Sequence, residues 1–316
     1  MTAKTSPIIK VAILAFGFCA LLRAQESVHS AHLELVHDRP FVMVTVNGQG
    51  PFRFIIDTGT GAQAFVTPQF AEKLGFPAAG DARLSDPSAQ GAKIVPVVLI
   101  RSLSVAGVQF SGVKAVVHTL SNGEGSYDGL LGFPLFRDYL LTLDFPHREL
   151  SITAGALTPD GQRTVLPLRL QAGIPVVSMH IDALPLDAQI DSGGGGLTLP
   201  DSYVQHLKFA SDPVEFENGN SLSTRFAIRA AKLDADVHIG AYTFKQPFVE
   251  IDSAFPLANF GSSPMHDFVL TFDQRNGLVR FGAGQTTLKL SATPSPMHLL
   301  NAPTQMANDP SLMPVD

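Results

Sequence analysis

The sequence predicts an all-β protein built from two similar lobes, with a few short helices. Three observations lead to this prediction. The 316 residues include 27 glycines and 23 prolines together with many Val, Ile, Thr and Phe residues, a composition typical of strands and turns. Long polar runs with a helical period are few. The third observation is an internal repeat, in which landmarks of the first half return in the same order in the second half.

The internal repeat is carried by two acidic turns. Asp57 follows an alternating apolar run and begins the turn 57–61, and Asp191 begins a similar turn 134 positions later (191 minus 57). Two further segments return in order: 40–46 as 175–181, and 138–145 as 267–274. Ordered landmarks at a nearly constant offset indicate a duplicated unit, and the period is far too long for a solenoid. Each copy is therefore predicted to be a small domain or half-domain.

Each acidic turn places a carboxylate where it needs a partner. Asp57 comes directly after Ile55 and Ile56, so it leaves a strand that is expected to be buried. A lone carboxylate in such surroundings is costly to keep ionised. The duplication supplies a second acid of the same kind. If the two lobes pack about a pseudo-two-fold axis, Asp57 and Asp191 face each other across it.

Both turns are followed by a second short motif. Residues 57–59 (Asp-Thr-Gly) precede 130–132 (Leu-Leu-Gly), and residues 191–193 (Asp-Ser-Gly) precede 259–261 (Asn-Phe-Gly). This combination resembles the retropepsin-like aspartyl proteases of bacteria, with two lobes fused in one chain as in the pepsin-like enzymes. The resemblance covers roughly residues 35–283. It implies the two-lobed acid-protease (pepsin/retropepsin-like) β-barrel fold, a catalytic dyad of Asp57 and Asp191, and no cofactor.

The resemblance also implies tasks for the neighbours of the two acids. The supporting turn residues are Thr58, Gly59, Thr60, Ser192 and Gly193. Thr58 and Ser192 are implied to cross-link the turns through hydroxyl and backbone hydrogen bonds, while the glycines permit a close turn. Thr60 can hydrogen-bond the outer oxygen of Asp57, whereas Gly194 at the corresponding position has no hydroxyl. We therefore expect Asp191 to be the less well supported carboxylate.

Two facing carboxylates can share one proton, because neighbouring like charges resist double ionisation. This splitting is known for the aspartic proteases as a class. The ionised carboxylate can take a proton from a bound water while the protonated one donates to the scissile carbonyl oxygen. The sequence thus predicts an aspartic endopeptidase without a covalent intermediate. A catalytically inactive peptide-binding protein on the same fold is the alternative.

A hairpin downstream of each acidic turn is a candidate flap over the substrate. The candidate flap and substrate-binding residues are Ser88, Gln90, Gly91, Asn218 and Gly219. The Asn-Gly pair is the hairpin signal in the second half. The resemblance implies closure over the substrate, although position alone also fits an ordinary surface hairpin. Neither loop carries the tyrosine of pepsin-like flaps, and Phe216 and Phe226 suggest a moderately apolar pocket.

Local signals predict one short helix in each half. Thr67 is a suitable N-cap, Pro68 suits the first helical position and Gly75 suits the stop, so a helix is predicted over 67–75. The segment 199–207 has similar signals and is predicted to form the corresponding short helix in the second half.

The N-terminus has the pattern of an export signal. Lys4 and Lys10 precede a short apolar run over 11–22, and Ala24 offers a small residue for cleavage. The run is shorter than the roughly 20 residues of a spanning helix, so we expect removal rather than anchoring, and a secreted or periplasmic protein. Cys19 is the single cysteine and lies in this signal, so we expect the mature chain to have neither a disulfide nor a thiol nucleophile.

The boundaries follow from composition. Residues 153–163, with Gly155, Pro159 and Gly161, are the predicted connection between lobes. The predicted organisation is a signal peptide at 1–24, an N-terminal lobe at 28–155, a C-terminal lobe at 164–283 and a disordered tail at 284–316. Because both acids lie on one chain, we expect an active monomer. The alternative is a chain of two independent lobes that pair between molecules.

Several other functions are set aside. The formal charge of −6 without a basic block gives no footprint for nucleic acid. His29 and His32 are not accompanied by an acidic or Cys cluster, which favours a solvated segment over a metal site. No Lys-Ser or Lys-Thr follows the glycines 193–196, and the Gly-x-Ser-x-Gly signature is absent. We expect a polypeptide substrate, no metal, and no stable membrane insertion once the signal is removed.

Overall fold

The computed structural model describes residues 29–85, 91–119, 127–220 and 225–290. Most of these residues lie in strands, and the helices are few and short, so the predicted all-β class is confirmed. The predicted signal peptide and residues 291–316 of the predicted tail lie outside the described residues. Within the described ranges, no helix has the length and apolar character needed to cross a bilayer.

The first half of the chain forms strands β1 to β11. Their bounds are β1 His29–His32, β2 Glu34–Val36, β3 Arg39–Val46, β4 Gln49–Asp57, β5 Ala64–Val66, β6 Ala78–Ser85, β7 Ala92–Val105, β8 Val108–Val117, β9 Gly129–Gly132, β10 Leu140–Asp144 and β11 Glu149–Thr153. The sheet of the first lobe has the order β2-β3-β4-β9-β5-β8-β7-β6, and β3 also pairs with β7. This last pairing brings the sheet back on itself, as in a barrel.

The second half forms strands β12 to β25. Their bounds are β12 Val165–Pro167, β13 Arg169–Gln171, β14 Ile174–Ile181, β15 Leu184–Ile190, β16 Leu197–Pro200, β17 Val214–Asn220, β18 Arg225–Lys232, β19 Val237–Ile239, β20 Tyr242–Phe244, β21 Phe248–Asp252, β22 Ala258–Phe260, β23 Val269–Asp273, β24 Leu278–Gly282 and β25 Thr287–Leu288. The sheet of the second lobe has the order β17-β18-β21-β16-β22-β15-β14-β19-β20-β25, with β13 paired to β14.

The two lobes share one pattern of strand pairing. In the first lobe β4 runs parallel to β9, β5 antiparallel to β9, and β5 parallel to β8. In the second lobe β15 runs parallel to β22, β16 antiparallel to β22, and β16 parallel to β21. The same unusual mixture of directions in both halves confirms the duplication that the sequence predicts.

A third sheet joins the lobes, in the order β1-β11-β10-β23-β24-β12. Its central pair consists of the repeated segments themselves, β10 and β23, which run antiparallel with Thr142 opposite Thr271. The two threonine hydroxyls lie 3.0 Å apart. The pseudo-two-fold axis therefore passes between these side chains, and the two halves are hydrogen-bonded to each other across it.

The helices follow the capping signals unevenly. Helix α1, Pro68–Leu74, has Thr67 as its N-cap, which accepts the N–H of Phe70 at 3.1 Å, and Gly75 in the left-handed region (φ 60°) as its C-cap. The predicted helix over 67–75 is confirmed. Its counterpart Asp201–His206 is a 3₁₀ helix with no side-chain cap and no buried residue, whereas α1 buries Phe70. Without a cap and an apolar anchor, the tighter turn replaces the α-helix.

Two more helical turns follow the strands that lie beside the acids. One is the 3₁₀ turn Phe133–Phe136 after β9, and the other is α2, Ser262–Met265, after β22. Phe133 and Phe272 pack edge to face across the lobe boundary, with ring centroids 5.2 Å apart. Buried apolar residues of both halves form one connected core. The relative position of the two acidic turns is thus fixed by packing as well as by the shared sheet.

The second hairpin turns later than its sequence suggests. Asn218 and Gly219, the predicted turn, lie inside β17, opposite Ala227 and Phe226 of β18. The predicted turn position is therefore wrong. The ladder with β18 continues to Asn220, and this pairing overrides the local turn preference of an Asn-Gly pair.

The C-terminal lobe also extends beyond the predicted boundary at 283. Strand β25 pairs in parallel with β20, and its Leu288 is buried in the core. The predicted tail therefore begins too early. A polar segment without periodicity can still be anchored by a single buried leucine and two residues of strand pairing.

Candidate active site

Each acid stands at the end of a strand, beside a parallel neighbour. Asp57 is the last residue of β4 and lies opposite Gly132 of β9, while Asp191 directly follows Ile190, which lies opposite Phe260 of β22. A side chain at Gly132 would collide with the carbonyl oxygen of Ala62, the residue that directly follows the acidic turn. The glycine of the second motif is explained by this close approach of the turn to the neighbouring strand.

Thr58 and Ser192 cross-link the two turns. The N–H of Thr58 donates to Ser192 Oγ at 3.0 Å, and the N–H of Ser192 donates to Thr58 Oγ1 at 2.9 Å. The hydroxyls in turn donate to the carbonyl oxygens of Ile190 and Ile56, each at 2.7 Å. These reciprocal bonds are the cross-link that the resemblance implies, and they join the turns across the lobe boundary.

The two acids meet at the centre of this cross-link. Asp57 is 1% exposed and Asp191 is 2% exposed, and the carboxyl groups are close enough for each to change the pKa of the other. Each carboxylate also lies against the glycine of the opposite turn. A β-carbon on Gly193 would be 2.5 Å from Asp57 Oδ2, and one on Gly59 would collide with the Asp191 carboxylate. Only glycine at these positions allows the two acids to approach.

The surroundings raise both pKa values. Burial raises the pKa of Asp57 well above its ordinary value of 3.8, and the charge of Asp191 raises it further. Burial also raises the pKa of Asp191, but hydrogen bonds from the backbone N–H groups of Gly194 and Gly193 lower it. The pair therefore favours a state in which the two acids share one proton.

The two carboxylates are supported unequally. Asp191 Oδ1 accepts the N–H groups of Gly193 at 3.0 Å and Gly194 at 2.9 Å, and Oδ2 faces the side-chain amide of Asn259 at 3.4 Å. Asp57 Oδ1 and Thr60 Oγ1 make no hydrogen bond of regular geometry among the described residues, although contacts of Asp57 with Thr60 and with the backbone N–H of Gly59 lower the pKa of Asp57. The expectation that Asp191 has less support is therefore wrong. Its donors are the backbone N–H groups of Gly193 and Gly194 and the side chain of Asn259 on β22, so no side-chain hydroxyl at position 194 is needed.

Arg39 and Tyr127 belong to the site and were not found from the sequence. Arg39, the first residue of β3, is 9% exposed, and its charge lowers the pKa of both Asp57 and Asp191. Burial raises the pKa of the Tyr127 phenol, which also feels the charges of Arg39 and Asp57. No motif marks either residue, because Arg39 reaches the acids through the pairing of β3, and Tyr127 lies two residues before β9.

The turn that carries Arg39 is held by the second lobe. Asp38, which precedes it, has a left-handed backbone conformation (φ 63°). Its carboxylate accepts the hydroxyl of Ser263 at 2.9 Å and lies 3.5 Å from the ring of His266. Since Ser263 lies in α2 and His266 follows that helix, the contact fixes the start of β3 against the opposite lobe.

The candidate flap residues are only partly described. Ser88 and Gln90 lie outside the described residues, and Gly91 directly precedes β7. Asn218 is exposed on β17, next to Gly219 on the same strand. The hairpins β6-β7 and β17-β18 are present as paired strands, but their tips at 86–90 and 221–224 are not described. The flap role therefore stays a prediction.

A further buried carboxylate lies away from the dyad. Asp252, the last residue of β21, accepts the N–H groups of Ala254 at 2.8 Å and Phe255 at 3.0 Å. Burial raises its pKa to about 6, despite these hydrogen bonds. In the part of the chain that the structure describes, no three His, Cys, Asp or Glu side chains are arranged to hold a metal ion.

The comparison with known families agrees with the site. Residues 42–135 match the family model described as aspartyl protease, a stretch that contains the first acidic turn and β9. The match supports an aspartyl protease family and a proteolytic function of the aspartic type in general, and the retropepsin-like resemblance is consistent with it. The second acidic turn lies beyond the matched residues. No curated protein matches the chain.

Proposed function

We propose that this two-lobed aspartyl protease fold is an active aspartic endopeptidase, which hydrolyses peptide bonds with a water molecule activated between Asp57 and Asp191. The observation that carries the proposal is the meeting of two buried carboxyl groups from duplicated turns, with both pKa values raised and both turns cross-linked. An inactive relic has no need for two acids held in this way.

The unequal support of the acids suggests their roles. Asp191, which accepts two backbone N–H groups, is the ionised base that takes a proton from the water. Asp57, whose pKa is raised well above its ordinary value, carries the shared proton and donates it to the carbonyl oxygen. The tetrahedral intermediate then collapses: Asp191 passes the proton that it took from the water to the amine nitrogen, Asp57 takes its proton back from the hydroxyl, the C–N bond breaks, and no acyl-enzyme forms.

The substrate in this proposal is an extended polypeptide. Main-chain hydrogen bonds of the strand-addition type would supply affinity, and side-chain pockets would supply preference. Each candidate flap hairpin carries an exposed apolar side chain, Ile94 on β7 at 69% and Val214 on β17 at 64%. In the proposed flap role, these side chains favour a substrate with apolar residues.

The organisation of the chain supports a monomer. Both acids and both cross-linking hydroxyls come from one chain, and β10 and β23 pair within it. We further propose a secreted or periplasmic location, on the export signal in the sequence alone. A solution mass equal to one chain would support the monomer, and a dimer would favour lobes that pair between molecules.

A mixed peptide library tests the proposed activity. We expect the wild-type protein to cut internal peptide bonds somewhere between about pH 3 and 8, the range in which coupled carboxylates titrate. Mass spectrometry of the products identifies the cleaved bonds. The double variant Asp57→Asn/Asp191→Asn is the control for a contaminating protease. Binding of library peptides without cleavage at any pH would favour the inactive peptide-binding alternative.

Arg39 is expected to set the acidic side of the pH profile. Because its charge lowers the pKa of both acids, Arg39→Met should raise both pKa values and move the acidic limb of kcat/KM to higher pH. Arg39→Lys keeps the charge and serves as the matched control. An unchanged acidic limb in Arg39→Met, measured from about pH 3 to 8, would remove Arg39 from the electrostatics of the dyad.

A further inference from the structure

The two acidic turns have different residues beside their carboxylates, both in the turn and on the neighbouring strand. In the first lobe Ile55 of β4 lies opposite Leu130, and in the second lobe Gln189 of β15 lies opposite Asn259. Ile55 and Gln189 each stand two residues before their acid, so Leu130 and Asn259 occupy equivalent places. The first lobe thus combines Thr60 in the turn with a leucine on the neighbouring strand. The second lobe combines Gly194 in the turn with an asparagine.

Gly194 and Asn259 share one space beside Asp191. The Asn259 side-chain nitrogen donates to Asp191 Oδ2 at 3.4 Å, a long hydrogen bond of the kind that often tightens when substrate binds. A β-carbon on Gly194 would lie 2.5 Å from that nitrogen and 2.8 Å from Oδ2. Any side chain at 194 would therefore push the amide away from the carboxylate.

The polar character of the second strand continues past Asn259. The carbonyl oxygen of Gly194 accepts both the N–H of Ser262 at 3.2 Å and its hydroxyl at 2.7 Å. In the first lobe the corresponding carbonyl, that of Thr60, accepts the N–H of Phe133 at 3.2 Å, from a residue with an apolar side chain. The second turn is thus held from β22 and α2 by side chains that the first lobe does not have.

We propose that Asn259 is the positioning residue of Asp191, and that Gly194 is required because it leaves room for the asparagine amide. The inference rests on the proposed function, since it assigns Asp191 a place in the dyad. A side-chain N–H on Oδ2, together with two backbone N–H groups on Oδ1, stabilises the charged form of Asp191. The amide therefore helps to keep Asp191 ionised while Asp57 holds the proton.

The experiment replaces Gly194 and Asn259 by the residues found at the equivalent positions of the first lobe. The variants are Asn259→Leu, Gly194→Thr, and the double variant Gly194→Thr/Asn259→Leu, which copies the arrangement of Thr60 and Leu130. Leucine already occupies the equivalent strand position in the first lobe, so the fold accepts it there. Kinetics are measured as kcat and KM across the pH range, and the melting temperature is measured for all four proteins.

Asn259→Leu is expected to lower kcat by about 5- to 10-fold, with little change in KM; the loss is smaller than for a charge-assisted hydrogen bond of ordinary length because this bond is long. The acidic limb of its profile should move to higher pH, because the ionised Asp191 loses a donor. Gly194→Thr alone should lower the melting temperature as well as kcat. The double variant should recover kcat and melt higher than the two single changes together predict.

Two results would overturn the inference. One is an Asn259→Leu protein with the kcat and pH profile of the wild type. The other is a double variant whose change in melting temperature equals the sum of the changes in the two single variants. If the wild type does not cleave peptides, the proposed function fails. The melting temperatures still decide whether positions 194 and 259 are coupled, so the two failures are distinguishable.

Discussion

Replacement of either acid by asparagine is expected to lower kcat/KM for peptide cleavage by at least about 10³-fold, because each carboxyl group moves a proton in the reaction. Asp57→Asn removes the proposed donor to the carbonyl oxygen, and Asp191→Asn removes the base that activates water. The measurement is cleavage of one peptide selected from the library. The losses should not add in the double variant, since the acids act as a unit.

The same substitutions are expected to raise stability at neutral pH. Burial holds the pKa of both acids above their ordinary value of 3.8, so the folded protein binds more protons than the unfolded chain once the pH exceeds that value. The free energy of unfolding therefore falls as the pH rises from about 3.8 through the folded-state pKa values. Asparagine does not ionise, so the variants do not lose this part of the free energy of unfolding as the pH rises. Thermal unfolding at pH 7 and pH 4 should show a gain for Asp57→Asn at the higher pH.

Asp252→Asn is the matched control for the dyad variants, because it should raise stability without loss of cleavage. It removes a buried carboxylate whose pKa is about 6, and the asparagine oxygen can still accept the N–H groups of Ala254 and Phe255. The stability gain at pH 7 should be on the order of 2–3 kcal/mol, from about 1.4 kcal/mol per pKa unit. Peptide cleavage should remain at the wild-type rate. Peptide cleavage by the dyad variants, or loss of cleavage in Asp252→Asn, would contradict the catalytic role assigned to Asp57 and Asp191.

The dyad could be predicted because its signals are local. A tight turn after a buried strand requires glycine, and the acid, the hydroxyl and the glycine follow one another in both repeats. The repeat offset then implied that the turns meet. The structure adds the reason for that meeting: β10 and β23, the second pair of repeated segments, hydrogen-bond to each other on the axis.

The remaining parts of the site depend on register, which a single sequence does not reveal. Asn259 lies 68 residues from Asp191 in the chain, and only the parallel pairing of β15 with β22 brings them together. The expected weakness at Gly194 was wrong partly for this reason, since one of the three donors to Asp191 comes from another strand and the other two are backbone N–H groups of the turn. The Asn-Gly pair at 218–219 shows the same limit, because its pairing with β18 overrides a strong local turn signal.

Loss of one hydroxyl of the inter-lobe cross-link should cost more stability than loss of an axis hydroxyl that contacts only another side chain. Thr58→Val removes the acceptor for the N–H of Ser192 and the donor to the carbonyl of Ile190, both of which are buried. Two buried backbone groups without partners should cost about 2–5 kcal/mol in the free energy of unfolding. Chemical denaturation of the wild type and the variant measures this difference. Cleavage should fall as well, because the turn that carries Asp57 loses its fixed position.

Thr142→Val is the matched control, with the same substitution on the same axis. Its hydroxyl contacts that of Thr271 at 3.0 Å, a side-chain pair whose loss leaves the backbone ladder of β10 and β23 intact. We expect a cost of about 1 kcal/mol or less and unchanged cleavage. Equal costs for Thr58→Val and Thr142→Val would mean that the turns are held by the packed core and the shared sheet. The rigidity of the dyad would then come from the packing of the two lobes rather than from the hydroxyl cross-link.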